Sequence, residues 1–166
     1  MAYSKVISGV ALAALTMGLA ACGGEAAPEA ETATAASDAP PAIEERQANF
    51  KAIGKSFKAI RTQLEGDAPD MEVIATAATD MNAAALKIER LFPEGTSVDD
   101  GFDTEALAVI WEKTDEFAEA QKRLVDASAE MITIAQSGDV AAVGDQVGAI
   151  GGSCKNCHDN FRLDTD

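Results

Sequence analysis

The chain has 166 residues, of which 28 are acidic and 13 are Lys or Arg, so its formal net charge is −15 at pH 7. A surface this negative argues against binding to nucleic acid or to anionic lipid surfaces, because positive side chains dominate both kinds of binding. No internal repeat and no nucleic-acid-binding motif appears in the sequence.

Residues 1–21 have the features of an export signal. Lys5 gives the segment a positive start, and residues 6–20 are apolar or small and carry no charge. This run is shorter than the roughly 20 residues that span a membrane comfortably. The segment leads into Leu19-Ala20-Ala21-Cys22, which resembles the lipobox of bacterial lipoproteins. That resemblance implies that Cys22 is lipidated and becomes the first mature residue; an ordinary signal peptide with a chance cysteine is the alternative.

Either interpretation predicts a protein on the periplasmic side of a bacterial cell envelope. A lipid on Cys22 would be its only attachment to the membrane, and without the lipid it would be soluble in the periplasm. Residues 22–42 are rich in Gly, Ala, Pro, Glu and Thr and contain no large apolar side chain. Such a segment cannot bury enough surface to offset the entropy of ordering it, so we predict a flexible acidic tether.

The remaining residues, 43–166, have the length of one domain and contain four stretches with apolar side chains at helical spacing. The first helix is predicted over 43–64. The second is predicted over 67–92, with Asp67 as its N-cap and Pro69 in its first turn.

A third helix is predicted to begin near Asp103 and to end at Gly138, and Asp139 is predicted to cap a fourth helix over 140–161. Four amphipathic helices with short connections and no strand pattern predict an all-α protein, an antiparallel four-helix bundle. Four glycines in the last helix each cost about 1 kcal/mol relative to alanine. One interpretation is that they leave space for a cofactor or a neighbouring helix, and the alternative is that the helix merely tolerates them: Gly144, Gly148, Gly151 and Gly152.

The last helix also carries Cys154-Lys155-Asn156-Cys157-His158, two thiols followed directly by the only histidine. On a helix the three side chains share one face. This is the pattern of covalent haem c, in which each sulfur bonds a porphyrin vinyl group and the histidine ligates the iron. Zinc would need about four such ligands, and a thioredoxin-like pair usually follows a strand. We therefore predict one haem c on Cys154 and Cys157, with His158 as the axial ligand.

With this motif near its end, segment 43–166 resembles the cytochrome c′ family, the class II c-type cytochromes, which are four-helix bundles. The resemblance implies that Arg46 lies near a haem propionate, that Gln47 lies near the haem and that Arg162 borders the proximal imidazole. An exposed helix charge is the alternative for Arg46, and a solvated arginine is the alternative for Arg162. The similarity rests on Arg46-Gln47-Ala48-Asn49-Phe50, Leu91-Phe92-Pro93-Glu94-Gly95-Thr96, Trp111 and the segment from Gly152 to Arg162.

Phe50 falls where some relatives have a methionine that serves as a sixth ligand. A phenyl ring cannot ligate iron, so the resemblance implies a five-coordinate, high-spin iron with a covered apolar distal face. Such a site would bind nitric oxide and carbon monoxide and would disfavour dioxygen, because Phe50 has no hydrogen-bond donor. Rival sixth ligands, each expected to have an ordinary packing or surface role instead, are Met71, Met81, Met131 and Lys51.

Three functions follow from these alternatives. The leading hypothesis is a haem protein that binds small diatomic gases, and the second is a six-coordinate, low-spin electron carrier. An enzyme is not predicted, because no acid–base group occupies the Phe50 position. Redox partner proteins are expected, and the acidic surface could attract a basic one. The family often forms homodimers through its first two helices, and the sequence leaves this open.

Overall fold

The computed structural model describes residues 41–165, which form five α-helices. Within this range there is no strand, only one isolated antiparallel bridge between Ala106 and Arg162. Two short 3₁₀ turns lie between the second and third helices. The helices are α1 (Pro41–Leu64), α2 (Met71–Ala85), α3 (Val109–Glu112), α4 (Thr114–Ser137) and α5 (Val140–Phe161), and the turns are Glu89–Leu91 and Val98–Asp100.

The four long helices form the bundle that the sequence predicts. α1 packs on α2, α2 on α4, and α4 on α5, whereas α1 and α5 meet at only a few positions. Three sides of the bundle are therefore closed by helix packing, and the side between α1 and α5 is not. The prediction of an all-α antiparallel four-helix bundle is confirmed, and the side between α1 and α5 is the one that helix packing closes least.

Each long helix contributes branched or thioether side chains to one hydrophobic core. Burial of each such side chain stabilises the fold by about 1.5–3 kcal/mol. The alanine-rich α2 lets α1 and α4 approach it closely on both sides. The residues with no measurable exposure include Ile60, Ile74, Ala78, Met81, Met131, Val143 and Ile150.

The start of α2 differs from the prediction. Asp70, rather than Asp67, is the N-cap, and its Oδ1 accepts hydrogen bonds from the backbone N–H groups of Glu72 at 2.9 Å and Val73 at 3.2 Å. A helix capped by Asp67 would need Ala68 in the α region, which a following proline disfavours. The residues before Asp70 therefore stay in the connecting loop.

The end of α2 also comes earlier than predicted, at Ala85 rather than Phe92. Side chains from the two neighbouring helices take its last carbonyl groups. Asn49 Nδ2 donates to Ala84 O at 3.0 Å, and Gln121 Nε2 donates to Ala85 O at 3.1 Å. Both carbonyls also accept backbone N–H groups in tighter i→i+3 bonds, from Lys87 at 3.1 Å and from Ile88 at 3.2 Å, so the α-helix ends by tightening into a 3₁₀-like turn.

The predicted third helix is divided. Residues 103–108 are not helical, because this segment pairs with the end of α5: Leu107 N donates to Phe161 O at 3.1 Å, and Leu163 N donates to Glu105 O at 2.7 Å. The one-turn α3 follows, and α4 begins at Thr114. The predicted connection to α5 is confirmed, since Gly138 adopts a positive φ of 77° and Asp139 Oδ1 accepts from Ala142 N at 3.0 Å.

The boundary predicted between tether and bundle shifts by two residues, because α1 begins at Pro41, and proline suits the first helical position. The predicted signal peptide, Cys22 and most of the tether lie outside the described residues. Among the helices of the described range, none is long and apolar enough to cross a membrane.

Candidate haem site on the last helix

The two thiols and the imidazole lie on consecutive turns of α5, as predicted. Cys154, Cys157 and His158 are all partly buried, and both cysteines pack against the hydrophobic core. Their i, i+3, i+4 spacing puts them on one side of the helix. The attachment motif therefore lies at the edge of the core, and its three side chains are partly exposed to solvent.

Burial keeps the two thiols in their neutral form. It raises the pKa of Cys154, and together with the neighbouring Cys154 it raises the pKa of Cys157 to about 11. A thiolate is disfavoured at this position because the surroundings are apolar. An uncharged thioether, the bond that joins haem c to protein, suits the same surroundings.

The imidazole is held in the form that ligates metals. Burial lowers the pKa of His158, and the positive charge of Arg162 lowers it further, while Glu105 and Asp159 act in the opposite direction. The net effect favours neutral imidazole, which has a free nitrogen lone pair for iron. Arg162 itself is exposed, and its Nε lies 3.6 Å from Glu105 Oε2. Its effect on the pKa of His158 agrees with the predicted place beside the imidazole.

Across from the motif, α1 presents phenyl rings. A Cβ built on Gly151 would lie 3.8 Å from Phe57 Cζ, so α1 and α5 meet at this point. Phe50 lies two turns before Phe57 on the same face of α1, and Cys154 and His158 follow Gly151 on the same face of α5. We call the space bordered by these five residues the α1–α5 seam.

Among the described residues, the neighbouring helix requires none of the four α5 glycines, because even at Gly151 an added Cβ would make only an ordinary van der Waals contact. Gly151 faces Phe57, but an added Cβ on the other three would meet nothing within 4 Å. Space for a cofactor beside these glycines stays a prediction: Gly144, Gly148 and Gly152.

Phe50 belongs to a chain of aromatic rings that the sequence does not predict. Its ring lies edge-on to Phe92, with centroids 6.2 Å apart. Phe92 contacts Phe117 at 4.9 Å, and Phe117 contacts Phe161 at 5.2 Å, both edge-to-face. The chain joins α1 to the end of α5, three residues after His158. No spacing rule signals it, because its members lie on three helices and one loop.

Arg46 is 3% exposed, so the alternative of an exposed helix charge is wrong. Its guanidinium donates to Leu91 O at 3.5 Å, Thr96 Oγ1 at 3.1 Å, Thr96 O at 2.9 Å and Thr104 Oγ1 at 2.8 Å. No carboxylate pairs with it in the described part of the chain. Burial lowers its pKa. Four of its five N–H groups therefore hold the loop after α2, and its contact with a propionate stays a prediction.

Gln47 is exposed and turned toward the same loop, where its Nε2 donates to Asp103 O at 2.9 Å. Among the rival ligands, Met81 and Met131 are fully buried in the core between α2 and α4. Met71 is partly buried at the start of α2, and Lys51 is exposed on α1.

The donor set and its surroundings fit haem c. Two neutral thiols, a neutral imidazole and an apolar opposite wall border the one side of the bundle that helix packing leaves incomplete. These features are those of a four-helix-bundle protein whose last helix has the attachment motif of a c-type haem.

A sequence profile described as Cytochrome C′ matches residues 41–162. The chain therefore belongs to the cytochrome c′ family, whose members carry one covalently bound c-type haem and are periplasmic.

Individual relatives agree with this assignment. The chain is 39% identical over 124 residues to cytochrome c′ of Pararhodospirillum photometricum, and the aligned region covers 72% of this chain and 94% of the relative. The structure of cytochrome c prime from Shewanella frigidimarina is similar with a TM-score of 0.69 and 32% identity, covering 77% of this chain and 98% of that one. The nitric oxide complex of a cytochrome c prime variant from Alcaligenes xylosoxidans is similar with a TM-score of 0.66, covering 74% of this chain and 94% of that one. At 24% identity, this last likeness concerns the fold alone.

Proposed function

We propose that the protein is a five-coordinate haem c protein that binds nitric oxide and carbon monoxide on the α1 side of the iron. The observation that carries this proposal is the composition of α1. The helix contains no Met, His or Cys, and the side chains that it turns toward the α1–α5 seam are Phe50 and Phe57. None of its residues that border the seam has an atom that ligates iron.

The lysines of α1 do not provide a ligand either. Lys51, Lys55 and Lys58 are exposed on the face opposite the buried Ile53 and Ile60. Lys51 and Lys55 therefore point away from the seam, and Lys58 lies beside Phe57 with its amine on the solvent side.

Each residue of the site has a separate task in this proposal. Haem c supplies an iron that holds a diatomic gas and exchanges one electron. Cys154 and Cys157 would fix the group covalently to α5, and neutral His158 would supply a nitrogen ligand to its iron. Phe50 excludes water and offers no hydrogen bond, which favours nitric oxide and carbon monoxide over dioxygen. No side chain of α1 that borders the seam can act as a general acid or base there, so the proposal includes no catalytic turnover.

Two other predictions remain proposals. The lipid on Cys22 would hold the protein to the membrane on the periplasmic side through the tether. The homodimer through the first two helices is consistent with the exposed outer faces of α1 and α2, and no contact among the described residues bears on it.

The absorption spectrum of the ferrous protein, recorded before and after addition of carbon monoxide and then of nitric oxide, tests the proposal. We expect a high-spin spectrum that changes on addition of either gas. A low-spin ferrous spectrum that carbon monoxide leaves unchanged would reject gas binding and favour the six-coordinate electron carrier.

A further inference from the structure

The outer face of α1 is positively charged, although the protein as a whole is strongly acidic. Four basic side chains repeat along this face at helical spacing, and all are exposed. Between Glu45 and Glu65 the helix contains no acidic residue. We call this set the α1 cationic stripe; from first to last it spans about 15 Å at 1.5 Å per residue. Its members are Lys51, Lys55, Lys58 and Arg61.

The stripe also differs from the other basic side chains in its pairing. Within the described range, none of its four members forms an ion pair, whereas six other exposed basic residues do. Lys87 is the other exposed basic residue without a pair in that range. The positive charge of the stripe is therefore not cancelled locally. The paired residues are Arg90, Lys113, Lys122, Arg123, Lys155 and Arg162.

One end of the stripe reaches the α1–α5 seam. The guanidinium carbon of Arg61 lies 6.0 Å from the centroid of the Phe57 ring, and Phe57 is the residue that meets Gly151 of α5. A surface depression of about 370 Å³ lies here, and Gly54 and Lys58 contribute to its lining. A molecule seated on the stripe would therefore lie beside the seam.

We propose that the α1 cationic stripe is the docking surface for the acidic face of a redox protein, which exchanges single electrons with the haem in the seam. In this step one electron passes from the reduced partner to ferric iron, and no bond is made or broken. The proposal rests on the haem lying in the seam and does not depend on whether the iron binds gas.

Charge complementarity selects an acidic protein as the occupant. Residues 43–166 carry 24 acidic and 12 basic side chains, so 12 − 24 gives a net charge of −12. An extended anionic membrane would bring its charge against the surrounding carboxylates as well as against the stripe. A compact acidic patch can engage the stripe alone, because screening at physiological salt limits the interaction to about 8 Å.

Charge reversal in the haem-loaded mature protein tests the proposal. The triple variant Lys51→Glu, Lys55→Glu, Lys58→Glu reverses the stripe. The control triple variant Lys87→Glu, Lys113→Glu, Lys122→Glu changes the net charge by the same amount elsewhere. The control also removes the ion pairs of Lys113 with Glu116 and of Lys122 with Asp126, and such exposed pairs contribute little to stability.

Hexacyanoferrate(III), a trianion that takes one electron from the ferrous haem and becomes hexacyanoferrate(II), is the first probe. At low ionic strength we expect the stripe variant to be oxidised about tenfold more slowly than the control variant, and the difference to disappear in about 1 M salt, where the screening length is near 3 Å. Equal rates for the two variants would overturn the proposal, because net charge alone would then explain the effect.

Poly-L-glutamate is the second probe, since it represents a carboxylate surface without redox activity. We expect poly-L-glutamate to shift the amide NMR signals of residues 51–61 in the wild type and the control variant, but not in the stripe variant. The spectra are recorded on the ferrous carbon monoxide form, or on the ferrous form if carbon monoxide does not bind. Stripe-dependent binding to phosphatidylglycerol vesicles with no response to poly-L-glutamate would overturn the proposal in favour of a membrane surface. Carbon monoxide binding is recorded separately, so a failure of gas binding is distinguished from a failure of docking.

Discussion

The guanidinium of Arg46 lies 4.6 Å from the centroid of the Phe92 ring. This contact joins two features of the site, because Arg46 holds the loop after α2 and Phe92 is the ring against which Phe50 packs. A cation over an aromatic face is attracted by the ring quadrupole. Arg46 therefore helps to hold Phe92 in place, and Phe92 in turn supports the ring of Phe50 on the α1 side of the seam.

The variant Arg46→Lys tests this role. Lysine lacks the planar fork that reaches several acceptors at once, so the buried oxygens of Thr96 and the partly buried hydroxyl of Thr104 would lose donors. We expect the free energy of unfolding, measured in urea, to fall by about 2–3 kcal/mol.

Arg90→Lys is the control, because Arg90 is exposed and its ion pair with Glu45 is 3.8 Å long. It should change the stability by less than about 1 kcal/mol. Equal losses in the two variants would mean that the four hydrogen bonds of Arg46 contribute little.

Phe50→Met tests which ring lies over the iron. A thioether at this position would supply the ligand that α1 lacks, and we expect the ferrous spectrum to become low-spin and the affinity for carbon monoxide to fall. Phe57→Met is the matched control, since Phe57 lies on the same face and is also partly buried. If only the control variant became low-spin, the distal position would belong to Phe57.

The two aspartates before α2 allow a test of its boundary. Asp70→Ala removes both capping hydrogen bonds and should cost about 1 kcal/mol in thermal or urea unfolding. Asp67→Ala should have almost no effect, because Asp67 lies in the loop and does not cap the helix. The reverse ranking would restore the boundary that the sequence predicts.

Asp100 is expected to give a pH-dependent contribution to stability. Hydrogen bonds from the hydroxyl and the backbone N–H of Ser97 lower the pKa of this carboxyl below its ordinary value of 3.8. The folded protein therefore favours the carboxylate, and the stabilisation is present above pH 3.8 and is lost as the pH falls through the folded pKa. Ser97→Ala should reduce stability at neutral pH, and the difference from wild type should shrink in acid. A difference that stayed constant down to the lowest pH would contradict this assignment.

Local spacing explains which features the sequence predicts well. The haem motif lies within five consecutive residues of one helix, so the common face of Cys154, Cys157 and His158 follows from helical geometry alone. Gly138 and Asp139 are predicted correctly for the same reason, since a positive φ and an N-cap are local requirements.

Long-range hydrogen bonds explain the errors. Near the end of α2, Gln121, 36 residues away, donates to Ala85 O, a contact that helical periodicity does not report. The third helix starts late because Leu107 pairs with Phe161, 54 residues further along. The burial of Arg46 by a loop 50 residues away is likewise invisible to periodicity. Sequence patterns report which face of a helix is apolar but not which distant side chain completes its end.

Electron paramagnetic resonance of the ferric protein at neutral pH tests the central claim most directly, because it reports the spin state of iron held by His158 alone on one side. We predict a high-spin signal in the wild type. A low-spin signal would show that a second protein ligand occupies the α1 side, and would contradict a five-coordinate iron beneath Phe50.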